Sequence, residues 1–198
     1  MPDPTIASAA GSGFGTAALP SDCTAMIRLL AAAAAVLLAA PASAQEIIAG
    51  VYAHDVKTPL DLRGIEGGVD FQVGIRGERL RALHAIGSPS PYLFAAANSA
   101  GGTHYAAAGL SWKIGDRMYL RPGFGLAVHT GSLRLDPSER ARSLGSRILF
   151  EPELALGVRA GERLSIEASW VHMSNAGLLS HQNPGMDNIG VRMSWRFR

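Results

Sequence analysis

His172 and Ser174 stand two residues apart, and Asp187 follows Ser174 by thirteen positions. An imidazole beside a hydroxyl can take its proton and turn serine into a nucleophile, while a carboxylate can fix the imidazole tautomer and stabilise the imidazolium that forms. Those are the parts of a hydrolytic triad, and they do chemistry only if the fold points them at one another. A β-strand does this for the first two, because residues i and i+2 share a face at a spacing of ~6.5 to 7 Å. Asp187 joins them if the strand it opens pairs antiparallel with theirs across the 175–186 connection. Trios of this composition are common near strand ends, so the argument rests on placement.

Placement follows from a period of two that recurs from about residue 67 to the C-terminus. Ile189, Val191, Met193, Trp195 and Phe197 alternate with Asn188, Gly190, Arg192, Ser194 and Arg196. Leu164, Ile166, Ala168 and Trp170 alternate with Arg163, Ser165, Glu167 and Ser169. Similar patterning predicts strands over 104–114, 117–128 and 147–159, with weaker signals at 46–54, 67–76 and 91–99. That makes eight strands. All eleven Asp, Glu, Lys and Arg residues of the last five strands fall on the polar phase. Continuing the phase of the seventh strand puts His172 and Ser174 on the apolar face with Leu164, Ile166 and Trp170. Asp187 takes the phase of Ile189 and Val191, so all three polar groups share the apolar side.

A soluble sandwich or lipocalin-like barrel also alternates, but it shows its charges to water. An export signal, an even strand count and aromatic apolar faces favour the inverse arrangement: an all-β, eight-stranded antiparallel transmembrane β-barrel with apolar residues toward lipid. An eight-stranded barrel is just wide enough to be filled by side chains. Arg121, Glu151, Glu153, Glu167, Arg192 and Arg196 therefore read as a paired internal network and the barrel as a poor pore. Short turns at 115–116 and 160–162 fall at the periplasmic end, and the longer 129–146 and 175–186 connections at the external end. The 77–90 connection is long for a periplasmic turn, and 100–102 is short for an external loop.

The export signal is an apolar run over 29–40 behind Arg28, followed by Ala42-Ser43-Ala44. It predicts a signal peptide over 26–44, a mature barrel domain over 45–198 and an N-terminal extension over 1–25 that is disordered or misassigned. Eighteen Lys and Arg against sixteen Asp and Glu leave no basic field for nucleic acid. The single Cys23 excludes a disulfide framework. Six scattered histidines lack ligand spacing, so neither a metal nor another cofactor is expected.

The run His172-Met173-Ser174-Asn175-Ala176-Gly177-Leu178, followed by Asn183-Pro184-Gly185-Met186-Asp187 and a final strand, resembles the His-x-Ser-Asn signature of the lipid A 3-O-deacylase (PagL) family. The resemblance implies an outer-membrane ester hydrolase that removes the acyl chain at position 3 of lipid A, acting near the external leaflet of the bacterial cell. It implies Ser174 as nucleophile, His172 as general base and then acid, Asp187 as the acidic member and Asn175 as a contributor to the oxyanion hole. Its partners would be lipopolysaccharide and the outer membrane, with a homodimer left open. The family's usual acid is Glu. On that ground Asp187→Glu is expected to keep or raise activity. His181 reads as an exposed loop residue that contacts lipid phosphate rather than the base. Two other functions compete: a non-catalytic small barrel acting structurally or adhesively, and an outer-membrane phospholipase or acyltransferase with the same nucleophile.

Overall fold

The computed structural model describes residues 44–62, 64–134 and 142–197. The expected extension over 1–25 and signal peptide over 26–44 lie outside the described residues, except for Ala44, which opens the first strand. Eight strands follow: β1 (Ala44–Ala53), β2 (Val69–Gly77), β3 (Ser90–Asn98), β4 (Tyr105–Ser111, prolonged by Ile114–Gly115), β5 (Met118–His129), β6 (Ile148–Arg159), β7 (Leu164–Met173) and β8 (Met186–Arg196). Each pairs antiparallel with its neighbour in sequence. The first and last strands pair from Glu46 with Arg196 to Ala53 with Ile189, which closes the sheet and leaves no unpaired edge. No helix among the described residues is long and apolar enough to cross a membrane. A closed barrel needs none, because every strand finds its backbone partners in its neighbours.

The faces are inverted relative to a soluble protein. Phe71, Phe124, Leu126, Val191 and Trp195 are about half exposed, whereas Glu151 and Glu167 are 0% and Arg121 and Arg192 are 1% exposed. Inside, Arg121 donates to Glu167 through Nε at 2.9 Å and Nη2 at 2.8 Å and also pairs with Glu153. Arg192 joins the same two acids, at 3.1 Å to Glu167 and 2.7 Å to Glu153. Two arginines and two glutamates thus balance. Buried ions persist under that condition, since removing one partner strands the other. Two expected members stand apart. Arg196 pairs with Glu46 nearer the end of the barrel, and Glu151 accepts the Tyr92 phenol.

Glycines make those phenol contacts geometrically accessible. Tyr92, Gly109, Gly125 and Glu151 are successive register partners across β3 to β6, and the tyrosine lies over the two glycines to reach the acid. A Cβ at Gly109 or Gly125 would meet the Tyr92 hydroxyl at 2.6 or 2.7 Å. An aromatic ring covering a glycine on a neighbouring strand restores packing that the missing side chain forfeits.

The 77–90 connection is long because it holds a short 3₁₀ segment, Arg81–Ile86, closed by Gly87 in the left-handed region at φ 90°. A six-residue piece leaves too little periodicity to read from sequence. The Trp112 indole donates to the Ile86 carbonyl at 2.6 Å and ties the segment to the end of β4.

At the opposite end the 54–68 connection folds inward and is clamped. Arg142 is fully buried, donates through Nε to both Asp55 oxygens at 3.0 Å, and reaches Asp61 at 3.3 Å. His54 faces Asp70 through Nδ1 at 2.9 Å and Glu66 through Nε2 at 3.0 Å, so a carboxylate sits at each ring nitrogen. Burial alone would push the imidazolium down, but the hydrogen bonds to Asp70 and then Glu66 outweigh it and raise the His54 pKa to about 9. Burial alone would raise Glu66, yet His54 and the N–H donors of Arg142 and Thr103 bring it to about 2. Because the folded His54 pKa lies above the ordinary histidine value of 6.5, its stabilisation is complete below that pH and lost as pH rises through about 9. That contribution is on the order of 3 kcal/mol. The urea midpoint of the folded barrel should therefore fall between pH 6 and pH 9.5, and His54→Gln should remove most of that fall.

Candidate active site

The register of β7 on β8 makes His172 and Asp187 direct cross-strand partners. Both hold the outward phase, as the alternation predicts, with Ile166 and Ile189 exposed on the same two strands. His172 Nδ1 lies 2.8 Å from Asp187 Oδ1. An imidazole that donates from Nδ1 to a carboxylate presents the Nε2 lone pair as its proton acceptor. The short acid thus reaches the histidine without a strand shift.

Asp187 is fully buried although it sits on the outer face. Three donors account for this. Besides His172, the Trp170 indole N–H donates to Oδ1 at 2.8 Å, and the Thr58 hydroxyl donates to Oδ2 at 2.5 Å. Trp170 is paired with Ile189, so its side chain reaches Asp187 along the diagonal of the ladder. Alternation identified Trp170 only as an apolar outward residue and missed the use of its N–H.

Thr58 was missed altogether. It sits in a turn in which Leu60 N–H donates to its hydroxyl at 3.1 Å and its own N–H donates to the Asp61 carbonyl at 2.8 Å. The backbone of the same connection docks on β8, with Val56 N–H on the Asp187 carbonyl at 2.8 Å and Asp55 N–H on Asn188 Oδ1 at 2.8 Å. Thr58-Pro59 signals a turn. Nothing local says that the turn closes over a residue 129 positions away.

Ser174 continues the register of β7 by a single bridge to Phe150 on β6, made by Phe150 N–H to its carbonyl at 2.7 Å and its own N–H to Phe150 O at 3.1 Å. This puts it on the outward phase of Phe150 and His172, 8% exposed. No hydrogen bond joins its hydroxyl to His172. Gly185, at φ 69°, brings backbone over the imidazole, and a Cβ there would come within 3.1 Å of His172 Cε1.

Asn175 is fully buried and ties the loops together. Its Nδ2 donates to the Leu144 carbonyl at 3.0 Å and the Gln182 carbonyl at 2.6 Å, and its Oδ1 accepts Gly177 N–H at 2.8 Å. Its backbone N–H is bound by Asn183 Oδ1 at 2.9 Å, a contact the sequence did not announce. Both amide protons are thus engaged, which bears directly on the oxyanion role expected of this residue. His181 is exposed, as expected, and lines a cleft of about 460 Å³ with Leu60, Asp61, Leu62, Gln182, Asn183 and Pro184.

A family model described as lipid A 3-O-deacylase (PagL) matches residues 64–196. No curated protein matches the sequence significantly. Among solved structures, the crystal structure of the outer membrane enzyme PagL is similar at 17% identity and a TM-score of 0.54, over 77% of this chain and 99% of that one. This likeness shows the shared fold. A de novo designed transmembrane β-barrel is similar at 9% identity, 77% and 96% coverage and a TM-score of 0.44. The Yersinia pestis outer membrane protein Ail is similar at 18% identity, 78% and 99% coverage and a TM-score of 0.42. The matched span takes in β2 to β8 together with His172, Ser174, Asn175 and Asp187, and on it the chain belongs to the lipid A 3-O-deacylase (PagL) family of outer-membrane barrels.

Proposed function

We propose that the chain is an outer-membrane esterase that removes the 3-O-linked acyl chain of lipid A by a Ser/His/Asp mechanism on the outer wall of the barrel, near the external leaflet. Lipopolysaccharide diffusing in that leaflet presents its ester to the wall. Ser174 Oγ attacks the acyl carbonyl while His172 Nε2 takes the hydroxyl proton. The tetrahedral intermediate collapses, the sugar oxygen leaves and receives that proton from His172, and the acyl chain remains on Ser174. Water, deprotonated by the same imidazole, then releases a 3-hydroxy fatty acid and restores the serine. Asp187 holds the tautomer and faces the imidazolium formed in each half-reaction. Asn175 serves as the oxyanion donor on one condition set by its geometry: an Nδ2 proton must leave the Leu144 or Gln182 carbonyl for the developing charge.

The observation that carries this reading is the His172–Asp187 pair, held by Trp170 and Thr58 on the outward face of a barrel of this family. The test is the lipid A mass spectrum of cells with and without the protein. Loss of one hydroxyacyl chain is expected. Identical spectra would overturn it, and purified protein offered lipid A and phospholipid side by side would then separate a non-catalytic barrel, which deacylates neither, from a phospholipase.

Burial of Asp187 argues against the expectation that Asp187→Glu keeps or raises activity. Both carboxylate oxygens are engaged and no space surrounds them, so an added methylene must displace Thr58 or the imidazole. Overpacking of a closed site costs about 1 to 3 kcal/mol. Where that displacement moves the imidazole and weakens the transition state by about 1.4 kcal/mol, the rate falls by a factor of ten, so Asp187→Glu is expected to lose roughly tenfold in kcat. Thr58, which precedes the span matched by the family model, acts as a positioning residue. Thr58→Val should lower kcat several-fold with KM unchanged, and Thr58→Ser should restore it.

A further inference from the structure

The barrel end away from His172, where the described chain begins and ends, encloses a cavity of about 210 Å³. Glu46, Arg76, Arg79, Lys113, Arg121 and Arg196 line it, five cations against one carboxylate. Arg121 is satisfied by Glu153 and Glu167 deeper in the lumen. Glu46 is left to serve three cations: it accepts Arg76 Nη1 at 2.7 Å and Arg196 Nη2 at 3.2 Å, and Lys113 Nζ stands 3.8 Å away. One acid cannot satisfy them. Arg76 Nε and Nη2, Lys113 Nζ and Arg196 Nε are buried without a hydrogen-bond partner. The Arg76 side chain is 5% exposed, and its nearest other acid, Glu167, lies at 3.7 Å, beyond hydrogen-bond distance.

Cationic donors withdrawn from water and left without a hydrogen bond are unfavourable even with a carboxylate 3.7 to 3.8 Å away, and their geometry says what would relieve them. With Nη1 held by Glu46, the free Nε and Nη2 of Arg76 form the planar edge of a guanidinium that binds two oxygens of one anion side by side. Lys113 adds a point charge and Arg196 a further N–H on the same cavity. The space is roughly seven times the ~30 Å³ share of one liquid water, enough for a tetrahedral oxyanion with some of its hydration. We propose that this cavity binds a phosphate-class oxyanion, gripped by the free edge of Arg76 with Lys113 and Arg196. The phosphate comes either from solution or from an anionic lipid headgroup at this membrane face. The site is separate from the esterase machinery and does not depend on it.

Calorimetric titration of the purified full barrel in zwitterionic detergent with inorganic phosphate, at ionic strength held constant with chloride, tests the proposal. Saturable binding of one phosphate per barrel is expected, weakened at least tenfold by Arg76→Gln. Because Arg76 also pairs with Glu46, Lys113→Gln is the second variant: its ammonium makes no hydrogen bond and gives up only a 4.1 Å contact with the Tyr119 ring and the 3.8 Å approach to Glu46, so the fold survives, and it too should weaken binding. Arg159→Gln, which disturbs only the exposed pair with Asp116, should bind like the parent. Absence of saturable binding, or equal affinity in parent and Lys113→Gln, overturns the site. Nanodiscs of phosphatidylcholine with and without phosphatidylglycerol separate the sources. Phosphate affinity reduced by phosphatidylglycerol identifies a headgroup, and affinity unchanged identifies the free anion.

Discussion

Ser174→Ala should yield a barrel that inserts, folds and migrates with the heat-modifiable shift of the parent, yet leaves lipid A fully acylated. The substitution removes one oxygen from a residue whose structural work is done by its backbone, through the two bonds to Phe150. Its hydroxyl accepts and donates nothing that holds the loops, a task that falls to Asn175. Stability and activity therefore separate cleanly at this position. Removal of the nucleophile of a serine hydrolase costs at least ~10³-fold in kcat. His172→Gln should give a comparable loss, while His181→Gln, altering an exposed residue of the neighbouring cleft, should change KM alone. Unaltered turnover in Ser174→Ala would remove this serine from the mechanism and leave the outward His172–Asp187 pair without a nucleophile to serve.

The strands that carry this chemistry were legible because a membrane barrel writes its register into every second residue. Arg121, Glu151, Glu153, Glu167 and Arg192 all lie on the phase that alternation assigned inward, and all are buried. The same count carried His172 and Asp187 outward and predicted their pairing across β7 and β8. Alternation reports which face a side chain takes and nothing about what folds down over that face. Thr58 approaches Asp187 from a connection whose only local signals are turn residues, and the Arg142 clamp on Asp55 links positions 87 apart. Asn175 shows the same limit from the other side. The family resemblance implied an oxyanion donor there; what the sequence did not announce is that its amide meets the carbonyls of Leu144 and Gln182, brought to it by two loops with no periodicity. The 3₁₀ segment Arg81–Ile86 escaped for want of length.

Asp187→Asn should lose about a hundredfold in kcat with little change in KM, and the three donors around the acid give the reason. An asparagine here must choose which side of its amide faces His172. Trp170 N–H and His172 N–H both converge on the Oδ1 position, and an indole can only donate, so the amide oxygen belongs there. The amide nitrogen then faces Thr58, whose hydroxyl can turn from donor to acceptor. The imidazole accordingly keeps its proton on Nδ1, and what disappears is the negative charge facing the imidazolium. An asparagine that inverts the tautomer instead costs ~10⁴-fold in a serine hydrolase, so the size of the loss reports the orientation. A second substitution sharpens the reading. In the Asp187→Asn background, Thr58→Val takes away the acceptor that holds the amide nitrogen, and the combined loss should exceed the product of the single effects by about tenfold, within the range seen for directly coupled residues. Parent-like turnover of Asp187→Asn on lipid A micelles would mean that the carboxylate charge takes no part in the reaction. A loss near ten thousandfold, unaffected by Thr58→Val, would mean that Trp170 does not set the orientation of residue 187.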